Sequence, residues 1–319
     1  MGGYTPEYDI SLKSGGVVQQ YLPKEKYDVY PVLISKEKWV YASNEGKEYP
    51  IDKSDFSISV DSKKVSFDCV FNTIHGSPGE DGMMAAYFEL IGMPQTSCGF
   101  YQAALTYNKR DLLATLKPLG IKMAKSCYLN KGTPFDKSDI AEKLGLPCFV
   151  KANKSGSSVG VYMVKTLKEL THAIANVFQY DNEIIIEAAL EGTEVSAGVI
   201  QYKGRTKVLP LTEIISENGF FDYEAKYEGK SKEITPARIP LEVENKTTKI
   251  ALFIYEYLGL RGFARSEFII VDGEPHILEI NTTPGLTEQS ILPKQAKAFG
   301  LSLKTLFESA VEDSIARKL

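Results

Sequence analysis

The residues with the plainest chemical purpose lie between Arg261 and Pro293. Arg265, Glu267, Glu279 and Asn281 fall in or directly after two runs, Gly262 to Ile270 and His276 to Ile280, that read as strands joined at Asp272-Gly273. Residues two apart share a face of a strand, so Arg265 goes with Glu267 and Glu279 with Asn281. Two carboxylates and a carboxamide are hard oxygen donors suited to Mg²⁺ carrying a nucleotide's phosphates. Arg265 beside them suits an oxyanion or a phosphoryl group in transfer. A plain two-residue turn would set Glu267 opposite Leu278 and turn Glu279 away. An odd loop or a bulge brings both acids to one face. The expectation here is a three-residue loop, Asp272 to Glu274, with Pro275 forgoing one ladder bond. Two scattered acids would read as a solvated edge hairpin. The tightly turning polar run Asn281-Thr282-Thr283-Pro284-Gly285 directly after Glu279 speaks for a binding loop.

Further candidates need elements to place them. Phe67 to Ile74 is a continuous apolar run, read as a buried parallel strand. It delivers His75-Gly76 to its C-terminal end, where open α/β sheets bind ligands. Gly79-Glu80-Asp81-Gly82 then turns into a helix from Met83 to Ile91. Lys109 rides on a helix from Asn108 to Leu119. Lys151 ends a strand just before Asn153-Lys154-Ser155-Gly156-Ser157-Ser158-Val159-Gly160, whose small residues let amides reach a phosphate. A Walker loop or dinucleotide fingerprint needs a helix after its glycines; a strand through Val164 follows here, which makes a hairpin lid. Taken singly, Glu7 reads as an acid at a helix N-terminus, Lys109 as an exposed lysine and His75 as a structural histidine. Other helices are expected over 11–21, 168–178, 241–258 and 301–316, and strands over 27–34, 183–187, 195–201 and 207–215. Residues 36–66 are polar with hints of short strands. Residues 216–235 form a long polar loop with Gly219 and Gly229 as hinges, sized for a lid.

A chain of 319 residues with 43% hydrophobic content holds two or three domains with real cores. A net charge of −4 without a long basic run argues against nucleic acid. No stretch is long and apolar enough to span a membrane, and the N-terminus carries no apolar signal region. Cys69, Cys98, Cys127 and Cys148 are dispersed, as befits reduced core thiols of a cytoplasmic protein. Among hydrolytic signatures, no Ser-His-Asp order, HExxH or cysteine nucleophile offers a rival chemistry.

Arg265, Glu267, the LEINTTPG run and Ser290, together with HGSPGEDG (75–82), VKANKSGSSVG (150–160), IIEAALEGTE (185–194) and FDYEAKY (221–227), resemble the ATP-grasp ligases, and most closely the D-alanine–D-alanine ligases. The motifs stand in the family's order and cover nearly the whole chain. The resemblance implies an α/β protein, α+β in its ATP-grasp part: an N-terminal open parallel-sheet domain (1–97), a central subdomain (98–187) and a C-terminal subdomain (188–319). It implies ATP with two Mg²⁺ ions (or Mn²⁺) held by Glu267, Glu279 and Asn281, and D-alanine as the amino acid. Lys109, Lys151, Ser158 and Lys226 fall at phosphate positions, Glu187 and Leu190 at the adenine and Glu194 at the ribose. Glu7 corresponds to the acid that holds the first substrate's ammonium, in a network with Ser157 and Tyr227. His75 lies near that substrate's carboxylate. Arg265 and the Gly285 amide match the oxyanion site, and Ser290 with Ile291 the second substrate's carboxylate. Tyr at position 227 goes with D-alanine as second substrate, where Phe goes with D-lactate. A cytoplasmic homodimer serving peptidoglycan synthesis is implied as well. The chain departs from the family at Glu267, where Asp is common, and at Ser155, where a charged residue is common. It also lacks the short apolar strand before Gly2-Gly3, so that Met1 reads as an internal methionine of a longer protein.

Overall fold

The computed structural model describes residues 1–156, 160–216 and 231–317. Among them the strands form three sheets. The first is an antiparallel meander of β1 (Val32–Ile34), β2 (Trp39–Ala42), β3 (Glu48–Asp52), β4 (Ser57–Val60) and β5 (Lys63–Val65), paired in chain order. The polar stretch 36–66 is thus more regular than its composition suggests. The expected parallel sheet shrinks to isolated bridges, Gly2 with Ile34 and Val70 with Gln95. Strand 27–34 survives only as β1, and Phe67–Ile74 is extended without a full ladder. Residues 27–32 and 65–74 both line an open cavity of about 790 Å³ and do not pair with each other. Met1 to Gly3 lie strand-like against Val32–Ile34, with the Met1 amine donating to the Val32 carbonyl at 3.0 Å.

The second sheet, in the order β6-β9-β7-β8, is antiparallel throughout: β6 (Ser126–Asn130), β7 (Cys148–Ala152), β8 (Val161–Val164) and β9 (Glu183–Ala188). Helix α6 (Leu167–Val177) covers it. Thr166 caps its Glu169 amide, and Leu170, Ala173, Ile174 and Val177 recur on one buried stripe. The third sheet runs β13-β12-β10-β14-β15, with β11 paired to β10: β10 (Thr193–Tyr202), β11 (Arg205–Val208), β12 (Thr212–Ser216), β13 (Ser231–Ile234), β14 (Ala264–Val271) and β15 (Glu274–Asn281). The single strand expected over 207–215 is broken at Leu209-Pro210-Leu211, because proline brings no amide to a ladder. The expected loop 216–235 is also shorter, since Ser216 pairs with Ser231 and Glu213 with Ile234.

Helices carry these sheets. They are α1 (Tyr8–Tyr21), α2 (Met83–Leu90), α3 (Phe100–Tyr107), α4 (Lys109–Leu116), α5 (Lys137–Leu144), α7 (Leu241–Tyr257), α8 (Ile291–Ala298) and α9 (Leu303–Ala316). The largest apolar core packs Leu112, Leu113 and Leu116 of α4 and Ala251, Ile254 and Tyr255 of α7 on the inner faces of β10, β14 and β15. On α7, Tyr255 is buried while Tyr257 is exposed. Burying side chains of this size stabilises by about 1.5–3 kcal/mol each. The core includes Ile185 of β9, so the second and third sheets are held on a common support with a cleft between them.

Candidate functional site

The β14–β15 hairpin puts the acids where the sequence analysis wants them, by the other of its two routes. Val271 pairs with Glu274, so the loop is the two residues Asp272-Gly273, both at positive φ (50° and 76°). That is the backbone of a type I′ turn, whose twist suits two-residue hairpins. The expected three-residue loop is therefore incorrect. Registry is recovered by a bulge: Phe268 pairs with Ile277 but Glu267 pairs with Glu279, leaving Leu278 as the extra residue. Pro275 costs no bond to β14. It lies one residue from the turn-closing pair, where the backbone nitrogen points away from the partner strand. Beyond the bulge Arg265 pairs with Asn281, so all four polar side chains occupy one patch.

The patch is preorganised by charge. Arg265 Nη1 forms an ion pair with Glu267 Oε1, and Ser196 Oγ of β10 donates to the same oxygen at 3.3 Å. Lys109 Nζ lies 3.2 Å from Glu279 Oε2 and donates to the Ser155 carbonyl at 2.8 Å. Asn108 aims that lysine: its side chain caps α4 by accepting the Asp111 amide, starting the helix so that Lys109 occupies its first turn. Asn281 Oδ1 accepts the Thr283 amide at 2.8 Å, tying the binding loop to the end of β15.

Two cavities meet at this patch. One, of about 460 Å³, lies between the second and third sheets. Its apolar walls include Phe149, Ile214, Ile269 and the bulged Leu278, and Lys151, Glu187, Leu190 and Glu194 line it too. Lys151 and Glu187 form a buried pair at 2.8 Å. Burial opposes the lysine's charge, yet Glu187, Glu279 and Glu194 together push its pKa up. Glu187 Oε1 is buried without a hydrogen-bond partner, an acceptor waiting for a donor such as an amino group on a flat heterocycle. The Ala188 and Ala189 amides already donate to the Lys125 and Pro147 carbonyls.

The other cavity, of about 420 Å³, is lined by Glu7, His75, Glu80, Tyr107, Glu233, Asn281, Gly285, Ser290 and Ile291, and shares Lys109, Ser155, Arg265 and Glu279 with the first. Glu7 precedes α1 and its side chain makes no capping bond there; it lines the cavity instead. Its carboxylate lies against Gly76 and Gly156, where added Cβ atoms would fall 3.3 Å and 2.9 Å from Oε2. His75 is buried and clamps the binding loop. Its Nδ1 lies 2.9 Å from the Thr283 carbonyl and must donate there, leaving Nε2 to accept from Ser14 Oγ at 3.3 Å. The Leu286 amide in turn donates to Ser14 Oγ at 3.3 Å. Burial lowers the histidine's pKa and keeps it neutral. With both ring nitrogens engaged, His75 positions the Thr283–Leu286 loop and has no ring nitrogen left for a substrate carboxylate. A Cβ at Gly285 would stand 2.8 Å from Ser290 Oγ, so a side chain there would displace that hydroxyl. Ser290 Oγ pairs with Thr287 Oγ1 at 2.8 Å just before α8. Ser157, Ser158, Lys226 and Tyr227 lie outside the described residues.

Sequence reasoning missed Ser196, Tyr107, Glu233 and the role of Glu80. Glu80, inside the Gly79–Gly82 turn, and Glu233, within the stretch 216–235, stood in singled-out segments; Ser196 and Tyr107 lie in an ordinary strand and helix.

Comparison with known proteins bears on this geometry. A model described as the C-terminus of D-ala D-ala ligase matches residues 115–312, and one described as its N-terminus matches residues 1–98. The chain is 61% identical over 316 residues to a D-alanine–D-alanine ligase of Flavobacterium johnsoniae, covering 99% of this chain and 98% of that protein. Among solved structures it resembles the VanG D-Ala:D-Ser ligase of Enterococcus faecalis, with a TM-score of 0.86 and 30% identity over 98% of this chain and 97% of that one. It also resembles a D-alanine–D-alanine ligase of Bacillus anthracis complexed with ATP, with a TM-score of 0.78 and 26% identity over 99% and 96% of the two chains.

Proposed function

The chain belongs to the D-alanine–D-alanine ligase family, with its ATP-grasp fold, and from that premise we propose that it joins two D-alanines to D-alanyl-D-alanine at the expense of ATP, for peptidoglycan precursors. The observation that carries this reading is the shared wall of Lys109, Ser155, Arg265 and Glu279. It separates a cavity of nucleotide size from one lined by polar and charged groups suited to amino acids. A phosphoryl group entering from one side meets a carboxylate from the other.

In the first step the carboxylate of one D-alanine attacks the γ-phosphoryl group, giving an acyl phosphate and ADP. In the second, the amine of the other D-alanine attacks that carbonyl, and phosphate leaves as the amine loses a proton. Lys109 and Lys151, with Lys226, hold phosphates, and Glu187, Leu190 and Glu194 the nucleoside; Ser158 joins them at the phosphate hairpin. Glu7 takes the first ammonium, in a network with Ser157 and Tyr227. Arg265 and the Gly285 amide stabilise the oxyanion, and Ser290 with Ile291 seats the second carboxylate. The donor set fits divalent metal: Glu267 and Glu279, each already beside a cation of the chain, and the Asn281 amide are hard oxygens. Mg²⁺ or Mn²⁺ held there would neutralise phosphate charge. The same reading makes the protein cytoplasmic. No helix among the described residues is long and apolar enough to cross a membrane. It divides the chain at about residues 97 and 187, and pairs it with a second copy.

Phosphate release from ATP and Mg²⁺ tests this, with D-alanine set against L-alanine, D-alanine plus D-lactate, and D-alanine plus D-serine. The expected result is release that requires D-alanine and a D-alanyl-D-alanine product by mass spectrometry. Release that is indifferent to chirality, or a depsipeptide as main product, would overturn it.

A further inference from the structure

Four carboxyl groups line the amino-acid cavity, Glu7, Glu80, Glu233 and Glu279, and Glu80 has no task so far. Glu80 follows the His75-Gly76 turn and is 7% exposed. Its Oε2 accepts the Gly76 amide at 2.9 Å, and its own amide donates to the Gly76 carbonyl at 2.7 Å. Gly76, at φ 65°, thus has Glu80 on its amide and the Glu7 carboxylate against its α-carbon. Among the described residues Glu80 has no ion-pair partner. Glu7 before α1, Lys109 on α4 and Glu279 on β15 act on its charge, and Lys13 of α1, Arg265 of β14, Glu233 of β13, the Tyr107 phenol of α3 and neutral His75 line the same cavity. Two carboxylates in one poorly solvated pocket do not both ionise readily.

We propose that Glu7 and Glu80 form one carboxyl pair in which Glu80 carries a proton in the empty site and releases it to solvent when the ammonium of the first amino acid binds. The inference rests on the reading of Glu7 as the ammonium site. Burial, then the charge of Glu7, pushes the Glu80 pKa up to about 8, so the proton is present at neutral pH. A cation placed beside the pair favours the ionised form and expels the proton. The pair thereby presents one negative charge when the site is empty and two when the ammonium is seated, which favours D-alanine over ligands without an ammonium group.

Calorimetric titration of D-alanine into the wild-type protein, near pH 7 in two buffers of different ionisation enthalpy, reads the proton directly. The expected result is release of most of one proton. Affinity should strengthen by up to about tenfold per pH unit on approaching pH 8 and then level off. The Glu80→Gln variant should bind D-alanine with no proton release and no such pH slope. Equal release in wild type and variant, or a flat wild-type profile between about pH 6.5 and 8, would overturn the proposal. The wild-type profile decides even if the variant does not fold. Absence of any D-alanine binding by the wild type would instead remove the reading of the cavity on which the proposal stands.

Discussion

At the scale of single residues, the site is built from charges whose partners belong to the protein until ligands arrive. The buried Lys151–Glu187 pair shows what this implies. Removing one member of such a pair strands the other charge in a poorly solvated wall, which costs about 3–5 kcal/mol. Lys151→Met should therefore lower stability by about 3 kcal/mol in urea unfolding and weaken ATP binding about 10- to 100-fold, the worth of a charge-assisted hydrogen bond. The double variant Lys151→Met/Glu187→Gln separates the two effects. It should regain most of the stability, because no charge is left unpaired, while ATP affinity stays low. Recovery of both would mean that Lys151 serves only to neutralise Glu187. Most of these residues were legible in the sequence because phosphate, metal and carboxylate chemistry limit the side chains that can serve. His75 was legible as a site residue but not in its role, since the commitment of both its nitrogens depends on Ser14 and Thr283, far away in the chain.

At the scale of elements, the β14–β15 hairpin turns a string of letters into a site. The need for Glu267 and Glu279 to share a face follows from the period of a strand, and that much was legible. Whether an odd loop or a bulge meets it was not. Asp272-Gly273 takes the two-residue turn its sequence favours, and the adjustment passes to Leu278, an apolar residue with a place in the nucleotide cavity wall. Deletions discriminate. Removing Leu278 leaves Glu267 opposite Glu279 and Arg265 opposite Asn281 in a regular ladder, so D-alanine-dependent phosphate release should persist within about tenfold, with a raised KM for ATP. Removing Ile280 turns Asn281 to the core face, and release should fall by more than about 100-fold. Equal loss in both, with native melting curves, would show that the twist of the bulge is itself required. The broken strand at Leu209-Pro210-Leu211 was missed for a related reason: its apolar run continues across a proline that ends the ladder.

At the scale of the whole molecule, the ATP-grasp part was legible because its motifs recur in order, whereas the first hundred residues were legible in their helices and site residues but not in their sheet. Their extended runs hydrogen-bond mainly through β1 to β5, and the parallel arrangement appears only as bridges beside an open cavity. The same region exposes several large apolar side chains on two neighbouring helices. Met83, Leu90 and Tyr101 are 63%, 86% and 62% exposed, and Phe100 is half-exposed. They border one junction, since the Phe100 amide of α3 donates to Glu89 Oε1 of α2 at 3.1 Å. Several large apolar side chains exposed on neighbouring helices suit an association surface. A second copy is the occupant that fits the expected homodimer, and a C2 contact would place α2 and α3 against their own equivalents. Sedimentation or light scattering should then give twice the chain mass of 35.4 kDa. Leu90→Glu with Tyr101→Glu should shift the protein to monomer without loss of secondary structure, because both side chains already stand in solvent in the single chain. A dimer that survives both charges would place the interface elsewhere. A wild-type monomer at micromolar concentration would leave the patch without the partner argued for it. If the dimer forms as expected, the monomeric variant should also melt at lower temperature and lose its concentration dependence, because association through the first hundred residues stabilises the folded chain by mass action.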